Sequence, residues 1–171
     1  MTPPILVAYA SSYGSTQEVA ESISRNLRDC GLEVELQLAK KVKTLSGYCA
    51  VVLGAPLYMF RWHPEARNFL ARHRSALASL PTVIFALGPF HNTEEELRSA
   101  REQLDKELAK FSWLKPEAVE VFVGKFDPAR LRFPYSMIGP LKAMPPSDER
   151  DWEAIRNWAT HIAEVLKTSE K

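Results

Sequence analysis

Between Ala10 and Thr16 the chain reads Ala-Ser-Ser-Tyr-Gly-Ser-Thr, a glycine set among four hydroxyl side chains, Ser11, Ser12, Ser15 and Thr16. Hydroxyls donate hydrogen bonds without carrying charge, and a glycine lets the backbone turn tightly enough to aim N–H groups at one point. The stretch leads from an apolar run into an amphipathic one, so a helix N-terminus and its dipole fall at the same place. Such a loop offers capture of a phosphate by neutral donors. The alternative is an ordinary serine-rich turn with an N-cap. The chain has no G-x-G-x-x-G and no G-x-x-x-x-G-K-[ST], which excludes the dinucleotide fingerprint and the triphosphatase loop.

Two further stretches carry chemistry of a different kind. Gly54 to His63 reads Gly-Ala-Pro-Leu-Tyr-Met-Phe-Arg-Trp-His, apolar and aromatic where loops are usually polar. A flat aromatic ligand would cover it by stacking on Tyr58 or Trp62. Packing onto the core or a partner is the alternative. Gly88-Pro89-Phe90-His91-Asn92 is the second. His63 and His91 sit in these stretches, and an imidazole titrates near neutrality. His63 reads as a surface or capping residue. No His, Cys, Asp and Glu grouping has metal-ligand spacing.

The elements that must position these residues follow from periodicity. Ile5–Tyr9 is continuously apolar, as a strand covered on both faces should be. Thr16 to Leu27 is a helix with Val19, Ile23 and Leu27 in one stripe, closed by Gly31. Glu33 to Leu38 alternates as a half-buried strand. Ala50 to Leu53 is a third strand, ending at Gly54. Pro64 opens a helix that turns Phe69, Leu70, His73 and Leu77 inward. Thr82–Leu87 is a fourth strand. Thr93 and Glu96 form a capping box before a helix burying Leu97, Ala100, Leu104, Leu108 and Phe111. Val119 to Val123 is the fifth strand. A last helix from about Asp151 to Leu166 aligns Trp152, Ile155, Ala159, Ile162 and Leu166. Strict alternation predicts an α/β fold with a parallel sheet and helices on both faces. Ligands in such sheets sit beyond the C-terminal strand ends, which singles out the loops after strands one, three and four.

Val7, Tyr9, Ser11, Gly14, Thr16, Ala20 and Ile23 fall in register with the N-terminal signature of flavodoxins, which this stretch resembles. Ala8 departs from the usual larger apolar residue, and Tyr13 stands where many members have threonine. The resemblance implies a three-layer αβα sandwich over residues 1–171 as one domain, with a five-stranded parallel sheet in the order 2-1-3-4-5. It also implies flavin mononucleotide (FMN) as cofactor. The phosphate would lie on Ser11, Ser12, Tyr13, Gly14, Ser15 and Thr16. The isoalloxazine would lie between Pro56, Leu57, Tyr58 and Trp62 on one side and Gly88, Phe90 and His91 on the other. Tyr58 is the best match to the family's stacking ring. The acidic run usual after strand four is missing. Less negative charge near the ring implies a higher reduction potential.

Residues 125–148 form an insertion before the last helix. Within it, Lys125 to Pro146 holds Lys125, Arg130, Arg132 and Lys142 against one acid, Asp127, among eight large apolar side chains, including Phe133 and Tyr135. That mixture suits an apolar anionic substrate or peripheral contact with a membrane. A short helix from Pro134 to Met144 packed on the domain is the alternative. The layout is similar to that of flavodoxin-like protoporphyrinogen dehydrogenases that pass electrons to quinones. It implies an oxidoreductase acting on a quinone or tetrapyrrole-like substrate. A carrier between redox proteins and a flavin-free binding module are the other readings. Carriers usually dock through an acidic face, and the net charge here is +1. The same value gives no electrostatic pull toward nucleic acid. Cys30 and Cys49 lack redox or metal spacing and read as small buried residues. With no signal peptide visible and no run near the ~20 apolar residues of a spanning helix, the cytoplasm is expected.

Overall fold

The apolar runs become strands because each is covered twice. A computed structural model describes residues 3–58, 61–130 and 137–169. In chain order the elements are β1 (Ile5–Tyr9), α1 (Ser15–Asp29), β2 (Val34–Leu38), β3 (Ala50–Tyr58), β4 (Arg61–Trp62), α2 (Pro64–Arg72), α3 (Arg74–Leu77) and β5 (Thr82–Leu87). They continue with α4 (Glu94–Leu108), β6 (Ala118–Phe122), β7 (Lys125–Phe126), α5 (Gly139–Ala143), β8 (Ser147–Asp148) and α6 (Trp152–Ser169).

The parallel sheet runs β2-β1-β3-β5-β6, the expected order once the two-residue β4 is set aside. Alternate strand residues serve opposite layers. Ile5, Val7, Val52 and Phe85 face α1 and α6, meeting Val19, Ile23, Ile155 and Ile162. Leu6, Ala8, Leu53 and Ile84 face the other helices, meeting Phe69, Leu70 and Leu104. With both faces covered, neither polar alternation nor a solvated side survives in the central strands.

Three expectations change. The third strand does not end at Gly54 but continues to Tyr58 and turns back as β4, pairing Leu57 with Trp62. Gly54 is a glycine because of space. A Cβ built there would lie 1.9 Å from the Phe85 ring. The helix opened by Pro64 breaks at His73, so α2 and α3 are separate. Both cysteines are half-buried thiols rather than fully buried ones. In the insertion, α5 covers only Gly139–Ala143, and the rest of the expected helix's start, Pro134 to Ser136, lies outside the described residues, as do Arg132 and Phe133. No described helix is long and apolar enough to cross a membrane.

Candidate functional site: a hydroxyl loop beside an aromatic cleft

The chain leaves β1 at the centre of the sheet, where Ala10 N–H still donates to Gly54 O at 3.0 Å. The next residues curl into the start of α1. Gly14 occupies the N-cap with φ +90°, a conformation that disfavours any side chain there. Its N–H donates to Ser11 Oγ at 2.9 Å, which closes the loop on itself. Ser15 and Thr16 follow in the first turn, whose N–H groups have no acceptor within the helix. Thr16 is fully buried and its Oγ1 has no hydrogen-bond partner. A buried hydroxyl left unpaired costs about 1–3 kcal/mol, so its presence here fits an absent acceptor. Ser12 Oγ reaches outside the loop, to His63 Nε2 at 3.0 Å.

Beside this loop opens a cleft of about 860 Å3, part of it continuous with solvent. Tyr13, Ser15, Pro56, Leu57, Tyr58, Gly88 and Phe90 all line it. The loops after strands one, three and four therefore converge, as expected of C-terminal strand ends. Tyr13 and Tyr58 meet edge to face, with centroids 5.8 Å apart.

Of the residues expected beside the ring, two, Trp62 and His91, do not line this cleft. Trp62 is completely buried. Its indole N–H donates to Ala55 O at 3.0 Å and its backbone N–H to Glu107 Oε2 at 3.3 Å. Pairing with β3 sets the Trp62 ring in the core, so among the described residues of that segment Tyr58 is the aromatic side chain at the cleft. His91 turns outward and pairs through Nδ1 with Glu149 at 3.1 Å, about half exposed. Phe90 takes the place beside the cleft.

The far wall comes from the segment after β6. Gly124, Lys125, Phe126, Asp127 and Arg130 line it. Gly124 N–H donates to Pro89 O at 2.9 Å, and Phe126 packs against Phe90 with centroids 4.8 Å apart. Ser147 on β8 donates to Phe90 O at 3.4 Å, and Glu149 accepts from Asn92 N–H at 3.0 Å. The insertion is thus folded against the Gly88–Asn92 loop and gives the cleft two cations and one carboxylate. The sequence marked the segment as basic and aromatic but gave no sign that it borders the loops after strands three and four.

His63 is the other residue that sequence reading undervalued. It caps α2, with Nδ1 accepting the Glu65 N–H at 3.1 Å, which agrees with the capping role expected. It is also buried, and burial holds its imidazole below the ordinary histidine range.

Comparison with known proteins bears on this geometry. A family model described as the flavodoxin domain matches residues 6–142. The chain belongs to the flavodoxin family. Membership brings the family's cofactor, FMN, and the residues present fit it: an orphaned buried hydroxyl at a helix start, and a cleft between aromatic side chains. This flavodoxin-family chain is 22% identical to protoporphyrinogen IX dehydrogenase [quinone] of Escherichia coli, over 94% of each chain. It is 24% identical to the protein of the same name from Leishmania major, over 95% of this chain and 75% of that one. Among solved structures, an archaeal flavodoxin superposes with a TM-score of 0.56 at 16% identity, covering 96% of this chain and 99% of the other. The rubredoxin oxygen:oxidoreductase of Desulfovibrio gigas superposes with a TM-score of 0.60 at 19% identity, covering 98% of this chain but only 37% of that longer one. The role common to these comparisons is redox chemistry.

Proposed function

We propose that the protein is an FMN-dependent oxidoreductase whose substrate is a quinone or a tetrapyrrole-like molecule, the latter large, apolar and anionic. The observation that carries this is the cleft wall. Lys125 and Arg130 line the same cleft as the aromatic side chains of Tyr58, Phe90 and Phe126. An apolar body with carboxylates would stack on the rings while its charges meet the cations. Flavin supplies the electron transfer when bound, and the protein supplies position and electrostatics. Ser11 to Thr16 hold the phosphate, Tyr58 and Phe90 border the ring, and the wall selects what approaches it. Similarity to a quinone-linked protoporphyrinogen dehydrogenase supports the same substrate class. Docking of a carrier between proteins would call for an acidic face, and the net charge of +1 speaks against one.

Turnover with a tetrapyrrole donor and a quinone, measured on FMN-loaded protein, tests the reading. Arg130→Glu is expected to raise KM for the anionic substrate by about tenfold or more, the worth of a charge-assisted contact, with FMN affinity unchanged. Absence of quinone turnover by flavin-loaded protein would sink it in favour of a carrier. The insertion also presents Met137, 75% exposed, and Lys142, which supports peripheral membrane contact as an accompanying role. Flotation with anionic liposomes checks it, and protein left at the bottom of the gradient rejects it.

A further inference from the structure

Ser12 and His63 are 51 residues apart in the chain and joined by one hydrogen bond of 3.0 Å. Its direction follows from the other ring nitrogen. Nδ1 faces the Glu65 backbone N–H, a group that can only donate. Nδ1 must therefore present its lone pair, and a neutral imidazole then carries its proton on Nε2. The bond to Ser12 runs from Nε2–H to Oγ. A hydroxyl that accepts in this way still has its own hydrogen to donate.

The ring is held from both sides. His63 N–H donates to Pro56 O at 3.0 Å, Pro64 follows as the first helical residue, and the imidazole caps α2. It is also buried, with 9% exposure. Protonation at Nδ1 would set two donors against each other at Glu65. Burial opposes the charge as well. The loop itself contains no lysine or arginine, so the orientation of each hydroxyl decides how well it can hold an anion.

We propose that His63 is a positioning residue for the hydroxyl loop: its Nε2–H, bound to Ser12 Oγ, turns the Ser12 hydroxyl hydrogen away from the protein and toward the phosphate of the flavin nucleotide. This rests on the loop being the phosphate site. Ser11 Oγ likewise accepts, from the Gly14 N–H of its own loop, and keeps its hydrogen to donate, whereas the group that orients Ser12 comes from α2. His63 thereby couples the start of α2 to phosphate capture at the start of α1.

The test uses the apoprotein, FMN, and riboflavin, which lacks the phosphate. Binding is read by quenching of flavin fluorescence in the unaltered protein, Ser12→Ala, His63→Asn and the double variant. Asparagine is a good N-cap, so His63→Asn keeps an acceptor for Glu65 N–H while its shorter side chain loses Ser12. Each single variant is expected to weaken FMN about tenfold or more and to leave riboflavin unmoved. The double variant is expected to bind FMN no more weakly than Ser12→Ala, because His63 acts through Ser12. Full FMN affinity in His63→Asn, or losses that simply add, overturns the proposal while the phosphate site stands. An unaltered protein that binds riboflavin as tightly as FMN overturns the phosphate site, and the proposal falls with it. Nitrogen NMR of His63 in the unaltered protein tests the same point without a variant. A neutral ring protonated at Nε2 supports the proposal, and one protonated at Nδ1 overturns it.

Discussion

Gly54→Ala sets two physical effects against each other. Alanine in the middle of a strand is ordinarily the better residue, by roughly 0.5–1 kcal/mol, because glycine loses more freedom on folding. Here the added methyl would lie 1.9, 2.2 and 2.4 Å from three atoms of the Phe85 ring. Those separations are far inside the ~3.5–4.0 Å of normal carbon contact. β3 is paired on both sides, so its backbone has no free edge along which to retreat. Phe85 is fully buried and edge-on to Trp158 at 6.1 Å, so the ring has no vacant rotamer space. Overpacking of this kind costs about 1–3 kcal/mol, and disturbing the aromatic contacts costs about 0.5–1.5 kcal/mol each. Sterics outweigh propensity, and the expected result is a net loss of about 3 kcal/mol. Urea unfolding of the apoprotein, followed by circular dichroism, reads it as a lower midpoint at constant slope. Adding Phe85→Leu to Gly54→Ala should recover part of the loss, because the two side chains contend for one space. If Gly54→Ala proves as stable as its parent, the account of this glycine as a space for Phe85 is wrong.

Thr16→Ala should weaken FMN by about tenfold while costing the apoprotein no stability, since the lost hydroxyl has no partner without ligand; paired titration and urea curves decide this. His63 has its imidazole pushed down by burial, so the native state prefers it neutral. Its stabilising contribution is therefore complete above the unfolded value of about 6.5 and is lost as pH falls through the lower folded value. His63→Asn should flatten that part of the stability–pH curve, and an unaltered curve would refute the assignment. Arg150 donates to Asp148 at 2.8 Å and to Glu18 at 2.7 Å, and its hydrogen bonds hold the Asp148 carboxyl below the usual carboxylate range. That contribution is present above pH ~4 and lost as pH falls through the depressed folded value. Because Asp148 and Glu18 are half exposed, Arg150→Ala should cost only about 1 kcal/mol at neutral pH, read by urea midpoint, with a smaller difference in acid.

What could be read from the sequence was what local pattern determines. β1, β5 and α1 were legible because a buried strand and an amphipathic helix each write a period into a few consecutive residues. The hydroxyl loop was legible because its residues are contiguous. Gly54 misled because glycine at a strand end usually means a turn, whereas the reason for this one lies on β5. Trp62 was misplaced for the same cause. Its partners, Ala55 and Glu107, are joined to it only by the β3–β4 reversal and by α4 packing against it. The Ser12–His63 bond and the placing of Lys125 and Arg130 in one cleft with Tyr58 depend on loops from distant strands meeting at one edge, which no short window of sequence contains.

The two sides of the cleft are anchored unequally. Tyr58 ends a central strand whose hairpin is pinned by the fully buried Trp62, so that side can yield only if the core does. Among the described residues, the side bearing Lys125 and Arg130 is held by two-residue strands, the Phe90–Phe126 ring contact and polar contacts near the surface, the Arg150 bridge from Asp148 to Glu18 among them. Regions held in this way open at a fraction of the global unfolding free energy. A bulky molecule would thus enter and leave past the insertion, with the opposite rim fixed. The lifetime of a complex would then track the local opening rate of residues 124–130, even where its affinity is set by contacts on the rigid side.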